Sequence, residues 1–181
     1  TITAGSANGV TLTAAGAITE GGTAAIEVTA NLLTATAGGP ITLDTTITTA
    51  DLASTNAGAI DVDETDAITL QSVVTQDGTI TIDAGGTLTA VNVDSSATDN
   101  DANDISLTTT AGDIAVVTIT AGSANDVTLT AAGAITEDGT AAIEVTANLL
   151  TATASGPITP DTTITTADLA STNAGPIDRD R

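Results

Sequence analysis

The sequence predicts an all-β protein, a parallel β-helix (β-solenoid) with about 20 residues per coil. Three observations predict it. First, the chain repeats itself: residues 1–64 align without a gap on residues 118–181, an offset of 117 residues, and the two stretches differ at seven positions. Second, a shorter unit recurs within that period, a turn residue followed by alternating aliphatic and polar positions. Third, turn formers separate these units, with Gly in "AGG", "NAG", "QDG" and "AGS", where a positive φ is expected.

The duplication divides the chain into a full copy, residues 1–117, and a partial copy, residues 118–181, read together as one continuous solenoid segment over 1–181. Copying is expected where each unit buries its apolar face against a similar neighbour, so the segment is expected to belong to a longer tandem array. The units run in order: "GVTLT" at Val10, "AIEVT" at Ile26, "PITLD" at Ile41, "AIDVD" at Ile60, "TITID" at Ile80 and "DISLT" at Ile105, after which Val127 restarts the cycle. Alternation with a period of two marks half-buried strands, with Ile41 and Leu43 facing one way and Thr42 and Asp44 the other. Six coils per period are expected, of 15 to 25 residues each. A β-sandwich is the rival, but it would place aromatic residues in its core and hairpin signals at about 8 to 12 residues. Two of the seven differences, Pro160 for Leu43 and Arg179 for Val62, fall on expected core-facing strand positions. There Pro deletes a ladder donor and Arg brings an unpaired charge.

Composition narrows the function. With 41% apolar residues the chain carries enough aliphatic surface to demand burial, so it is expected to fold. Its net charge is -21, and its two basic residues, Arg179 and Arg181, stand at the C-terminal end. That speaks against nucleic acid and anionic membranes as partners, because phosphate binding needs clustered Lys and Arg. No run is long and apolar enough for a spanning helix, and a transmembrane barrel would carry aromatic girdles that this chain lacks. Catalysis by nucleophile or general base ordinarily recruits His, Cys, Lys or Tyr, and none of these occurs, so no enzyme is expected.

The strands "GPITL", "GAIDV", "GTITI" and "GDIAV", set among Thr-rich and Ala-rich connectors, resemble the repeat regions of filamentous-haemagglutinin-type adhesins and other giant repetitive bacterial surface proteins. The resemblance covers the whole chain and is one of pattern and composition. It implies a right-handed parallel β-helix in a long exported stalk, at the cell surface or in an extracellular matrix. The variable coil length and the missing amino-terminal secretion module are departures from the family.

Three constellations carry what chemistry the alphabet allows. "DVDETD", with Asp61, Asp63, Glu64 and Asp66, is the candidate acid pair of a polysaccharide-cleaving enzyme, although "DRDR" stands at its place in the second copy. "DSSATDNDANDIS" holds Asp99, Asp101, Asn103 and Asp104, whose oxygens suit Ca²⁺; Asp99, Asp101 and Asn103 follow the first places of an EF-hand-like loop, but Asp104 replaces its Gly and Thr110 its closing Glu. Thr-x-Thr pairs such as those at Thr11, Thr79 and Thr87 would resemble an ice-binding face if they lay in register, which irregular coil lengths are expected to prevent. The expected role is a structural extracellular fibre or adhesin stalk that self-associates head to tail or laterally. A binding module for Ca²⁺, glycan or ice is the alternative.

Overall fold

A computed structural model of the chain describes every residue except Thr23, Ala24, Asp101, Asp138, Thr140, Ala141, Ala174 and residues 178–181, and all but the side chain of Ser6. Arg179, Arg181 and Asp101 therefore lie outside the described residues. The first half of the chain holds β1 (Ile2–Ala14), β2 (Ile18–Thr19), β3 (Val28–Ala37), β4 (Ile41–Ala57), β5 (Ile60–Glu64), β6 (Ile68–Asp77), β7 (Ile80–Ala84) and β8 (Leu88–Ala90). The second holds β9 (Val93–Asp94), β10 (Ile105–Thr109), β11 (Ile114–Val116), β12 (Ile119–Thr120), β13 (Val127–Ala131), β14 (Ile135–Glu137), β15 (Val145–Ala154) and β16 (Thr162–Ser171). Among the described residues there is no helix, and every strand pairing is parallel. Parallel neighbours need a crossover, and here each crossover is one lap of the backbone. The chain winds through about eight turns of roughly 21 residues.

Alternation sends one side chain of each pair inward, and the register stacks these into three columns. The first runs Ile18, Ile41, Ile60, Ile80, Ile105, Val127, Leu150. The second runs Ile68, Leu88, Ile114, Ile135, Ile158, Ile177. The third runs Leu52, Val73, Val93, Ile119, Val145. Interior members of all three are sealed from solvent, so the core is one continuous aliphatic rod with no aromatic residue in it. Along the first column coil length varies, from 19 residues between Ile41 and Ile60 to 25 between Ile80 and Ile105, yet strand register is kept there. The connectors absorb the difference.

The period and the coil are out of phase. Counting up the first column from Ile18, five steps reach Val127 and six reach Leu150, while the copy of Ile18 is Ile135, which lies between them in the chain. Ile135 sits in the second column instead, followed by Ile158 and Ile177, the copies of Ile41 and Ile60. One period is thus five turns plus one face, where the sequence led us to expect six coils. The miscount comes from "AIEVT". Ile26 is 37% exposed and precedes β3, so it opens no coil; the inward residues of that lap are Val28, Ala30, Leu33, Ala35 and Ala37.

Glycine at the turns serves a second purpose beside the expected positive φ. Among the turns named above, Gly122 of "AGS" has φ 92° and Gly78 of "QDG" φ 157°, and the glycines of the other turns have no positive φ. At the others the neighbouring turn stacks so closely along the axis that a side chain would strike it: a Cβ on Gly85 would come 2.1 Å from the Thr65 carbonyl oxygen, and one on Gly58 2.4 Å from the Gly39 carbonyl carbon. Gly16 and its copy Gly133 separate this cause from local conformation. Gly16 lies in the first coil with nothing within 4 Å of a Cβ, whereas a Cβ on Gly133 would meet the Gly112 carbonyl oxygen at 2.8 Å and the Asp113 carboxylate. Gly133→Ala is expected to cost about 1 to 3 kcal/mol and Gly16→Ala close to nothing, read as the shift in urea midpoint. Equal effects at the two sites would refute axial stacking as the reason for glycine.

Pro160 has the effect expected of it. β4 runs unbroken for 17 residues through Leu43, but in the second copy the same stretch is a lone bridge at Ile158, then a gap, then β16. Proline has no N–H for the ladder, so pairing lapses around it.

Candidate functional site

Outward residues of the first column's strands form two rows. One runs Thr42, Asp61, Thr81, Ser106, Thr128, Thr151, and the other Asp44, Asp63, Asp83, Thr108, Thr130, Thr153. Neighbouring strands are about 4.8 Å apart, so each row is a ladder of like groups at that step. Three coils present hydroxyl pairs, Ser106 with Thr108, Thr128 with Thr130 and Thr151 with Thr153. Register survives the change in coil length along this face, but the pairs at Thr11, Thr79 and Thr87 are scattered as expected: Thr11 stacks on Thr34 beside the third column, Thr79 leads into β7 of the first and Thr87 into β8 of the second. The other half of the face is acidic. Partial burial, then the fields of Asp83 and Asp44, raise Asp61, and the same causes with Asp61 added raise Asp63. No Lys or Arg stands among the described residues to relieve that repulsion.

The four acids of "DVDETD" do not converge. Asp61, Asp63 and Asp66 face solvent, while Glu64 turns into the core and is only 4% exposed. Its carboxylate accepts hydrogen bonds from the Thr45 hydroxyl at 2.7 Å, the Ile47 N–H at 2.9 Å and the Asp66 N–H at 3.2 Å. Burial pushes its pKa up to about 7, against the lowering by those three donors. Glu64 therefore braces the core between coils.

In the long connector the nominated groups bind the next coil. The Asp99 carboxylate accepts from the Ser123 N–H and hydroxyl, at 3.1 and 2.7 Å, from the Ala124 N–H at 3.0 Å and from the Asn125 side chain at 3.4 Å. These donors, the Ser123 hydroxyl first, hold its pKa below the usual range. Asp104 accepts from the Asp126 N–H at 2.9 Å. Asn103 is buried, donating its N–H to the Asn125 side-chain oxygen at 2.9 Å and its amide to the Thr98 carbonyl at 2.6 Å. The side-chain oxygens of Asn100 and Asn103 are buried and receive no hydrogen bond among the described residues. Asp99, Asn103 and Asp104 are thus brought to one connector, but the carboxylates are committed to neighbouring backbone, and only neutral amide oxygens of the kind Ca²⁺ takes are left over.

Two acidic groups escaped the sequence reading. Glu20, Glu27 and Asp44 bring carboxylate oxygens within 4.8 Å of one another, and so do their copies Glu137, Glu144 and Asp161. Glu20 is raised by partial desolvation and then by Asp44 and Glu27. Glu27 and Glu144 each accept from a backbone N–H, of Asp44 at 3.1 Å and of Asp161 at 2.6 Å. A signal was present, because none of the six acids is among the seven positions that differ. What hid them was distance along the chain, since the members belong to adjacent coils. Oxygen-only sets of this kind suit hard cations. A comparison of the chain with protein-family models, curated proteins and solved structures finds no match.

Proposed function

We propose that this chain is a segment of an extracellular structural stalk, of the adhesin-repeat kind, whose work is length, stiffness and presentation of its faces. One observation carries this reading: the three aliphatic columns, of five to seven members each, run without a break across the boundary between the copies, so the core has no internal reason to stop. A rod built this way grows by addition, because each coil rests on its neighbours. The alphabet supports the reading: His, Cys, Lys and Tyr are absent, and hydroxyls and carboxylates are all that is left for chemistry. A polyanionic surface keeps such rods apart and soluble. A second reading, a face that binds Ca²⁺ or glycan, is favoured by the in-register hydroxyl and carboxylate rows, and for Ca²⁺ by the buried Asn100 and Asn103 oxygens that receive no hydrogen bond among the described residues.

The test is length. At about 4.8 Å per turn, each added 117-residue period should lengthen the rod by on the order of 26 Å. Chains carrying one, two and four periods, compared by small-angle X-ray scattering and electron microscopy, are expected to gain maximum dimension linearly at constant width. Growth in width, or as the cube root of mass, would exclude a stalk.

A further inference from the structure

We infer that a tandem array of this repeat turns its surface by one face at every period, so that each patch of the repeat is displayed on the three sides of the rod in turn and fits a compact partner arriving from any side. The inference rests on the stalk reading for its use, and adds what such a stalk presents. It is carried by side chains that occur twice. Ile18, Ile41 and Ile60 stack in the first column, whereas their copies Ile135, Ile158 and Ile177 stack in the second. Leu12, Ala35 and Leu52 stack on one another and then on Val73 of the third column. Their copies Leu129, Ala152 and Leu169 stack on Leu107 and Ile82, in the strands of the first. Two separate stacks thus make the same step, first face to second and third face to first, which is one-third of a turn in the direction the chain winds.

The outward residues move with the core. Thr11, Thr34 and Asp51 form a ladder beside the third column, and the same three recur as Thr128, Thr151 and Asp168 on the first face. Thr19 pairs with Thr42 on the first face, while its copy Thr136 pairs with Ala115 on the second. Glu20 of the acidic trio follows β2 on the first face, and its copy Glu137 ends β14 on the second. Three faces make a turn, so five turns and one face leave an offset that accumulates. A patch recurs about 26 Å along the axis on the next side, and regains its own side after three periods, or roughly 77 Å. A flat, extended partner needs one chemistry along one side. Here the first face changes within a period, from the carboxylates of Asp61, Asp63 and Asp83 to the hydroxyls of Ser106 and Thr108. A lattice such as ice would find matching rows over a few coils, whereas a compact partner finds its whole patch once per period, with successive patches pointed apart.

The chain has no cysteine, so introduced pairs report position alone. Ala115→Cys with Thr136→Cys should join through a thiosulfonate bridge too short to span two faces, because these residues are strand neighbours. Ser106→Cys with Thr136→Cys should not, since Ser106 stands on the first face. If the copies kept one face, Thr136 would follow Ser106 in the first row, and the opposite pattern of cross-links would overturn the inference. The display itself is counted in a chain of four periods carrying biotin on a short linker at Thr42→Cys and at the same position of each later period. Monovalent streptavidin, a tetramer of about 500 residues, is roughly 60 Å across, more than twice the axial step between successive sites. Native mass spectrometry is expected to find four bound per chain, since neighbouring sites point to different sides. No more than two can be seated along one side, and a count of two or fewer would overturn the inference. A four-period rod of the expected length that seats two would sink the rotation and keep the stalk, whereas chains that fail to lengthen with added periods would sink the stalk.

Discussion

Leu107→Ala is expected to destabilise the whole stack by about 3 to 4 kcal/mol, while the same change at Leu12 costs about 1. Leu107 lies mid-rod with Ile82 beneath it and Leu129 above it in strand register, all three sealed from solvent. Removing its side chain leaves a hole that neither neighbour can fill, because hydrogen-bonded strands fix the distance between coils. Leu12 is in the first coil, partly open to water, so truncation there loses less burial and leaves no enclosed cavity. Urea melts followed by circular dichroism give both midpoints. The ratio matters more than either value: a rod held by continuous columns loses most from its middle, and comparable losses at both sites would mean that stability resides elsewhere.

Much of this arrangement is legible in the sequence, and the reason is the alternation. In "PITLD", "AIDVD", "TITID" and "DISLT" the aliphatic pairs Ile41 and Leu43, Ile60 and Val62, Ile80 and Ile82, and Ile105 and Leu107 are where the period of two places them, facing inward in one stacked column. Such runs have one buried face and one wet one, so a slip of one residue would expose the core, and register is strongly fixed. "AIEVT" misled because it has the right alternation without the right neighbours: Val28 goes in and Ile26 stays out. Conversely "NLLTATA", with Leu33, Ala35 and Ala37 fully buried, reads as a weak strand only because alanine is a small contributor to any hydrophobic pattern.

The phase of the repeat against the coil could not be read at all. "GAIT" places Ile18 in the first column and Ile135 in the second, so identical residues take different faces according to what lies beneath them. Local sequence specifies a strand and its inward side; the accumulated length of preceding connectors decides the face. The acidic groups were hidden for a related reason. Glu27 and Asp44 are 17 residues apart and meet only because one lap closes between them. Linear spacing instead pointed to Asp99, Asn103 and Asp104, whose crowding in sequence serves to tie one long connector to the coil above.

Glu64→Gln is expected to make the protein about 3 kcal/mol more stable at pH 8 and to leave it unchanged at pH 4. Glu64 is the last residue of β5 and faces inward between Thr45 below and Ala84 above. Its pKa is about 7 in the folded chain against an ordinary 4.5, because burial penalises the carboxylate and a hydrogen bond to the Asp66 carboxyl favours the neutral acid. Below pH 4.5 the acid is neutral in both folded and unfolded chains, and the stability it allows is fully present. As pH rises from 4.5 through 7 the unfolded chain releases this proton first, so stability is lost over that window. Glutamine is neutral throughout, can still accept from Thr45 and Ile47, and can donate to Asp66 as the protonated acid does. Asp61, Asp63 and Glu20 are raised as well, so a smaller decline with pH should persist in the variant. Urea melts at pH 4, 6 and 8 measure the gap between the two proteins. A gap that opens between pH 4.5 and 7 assigns the proton to Glu64, and a gap constant with pH would show that its carboxyl does not titrate in that range.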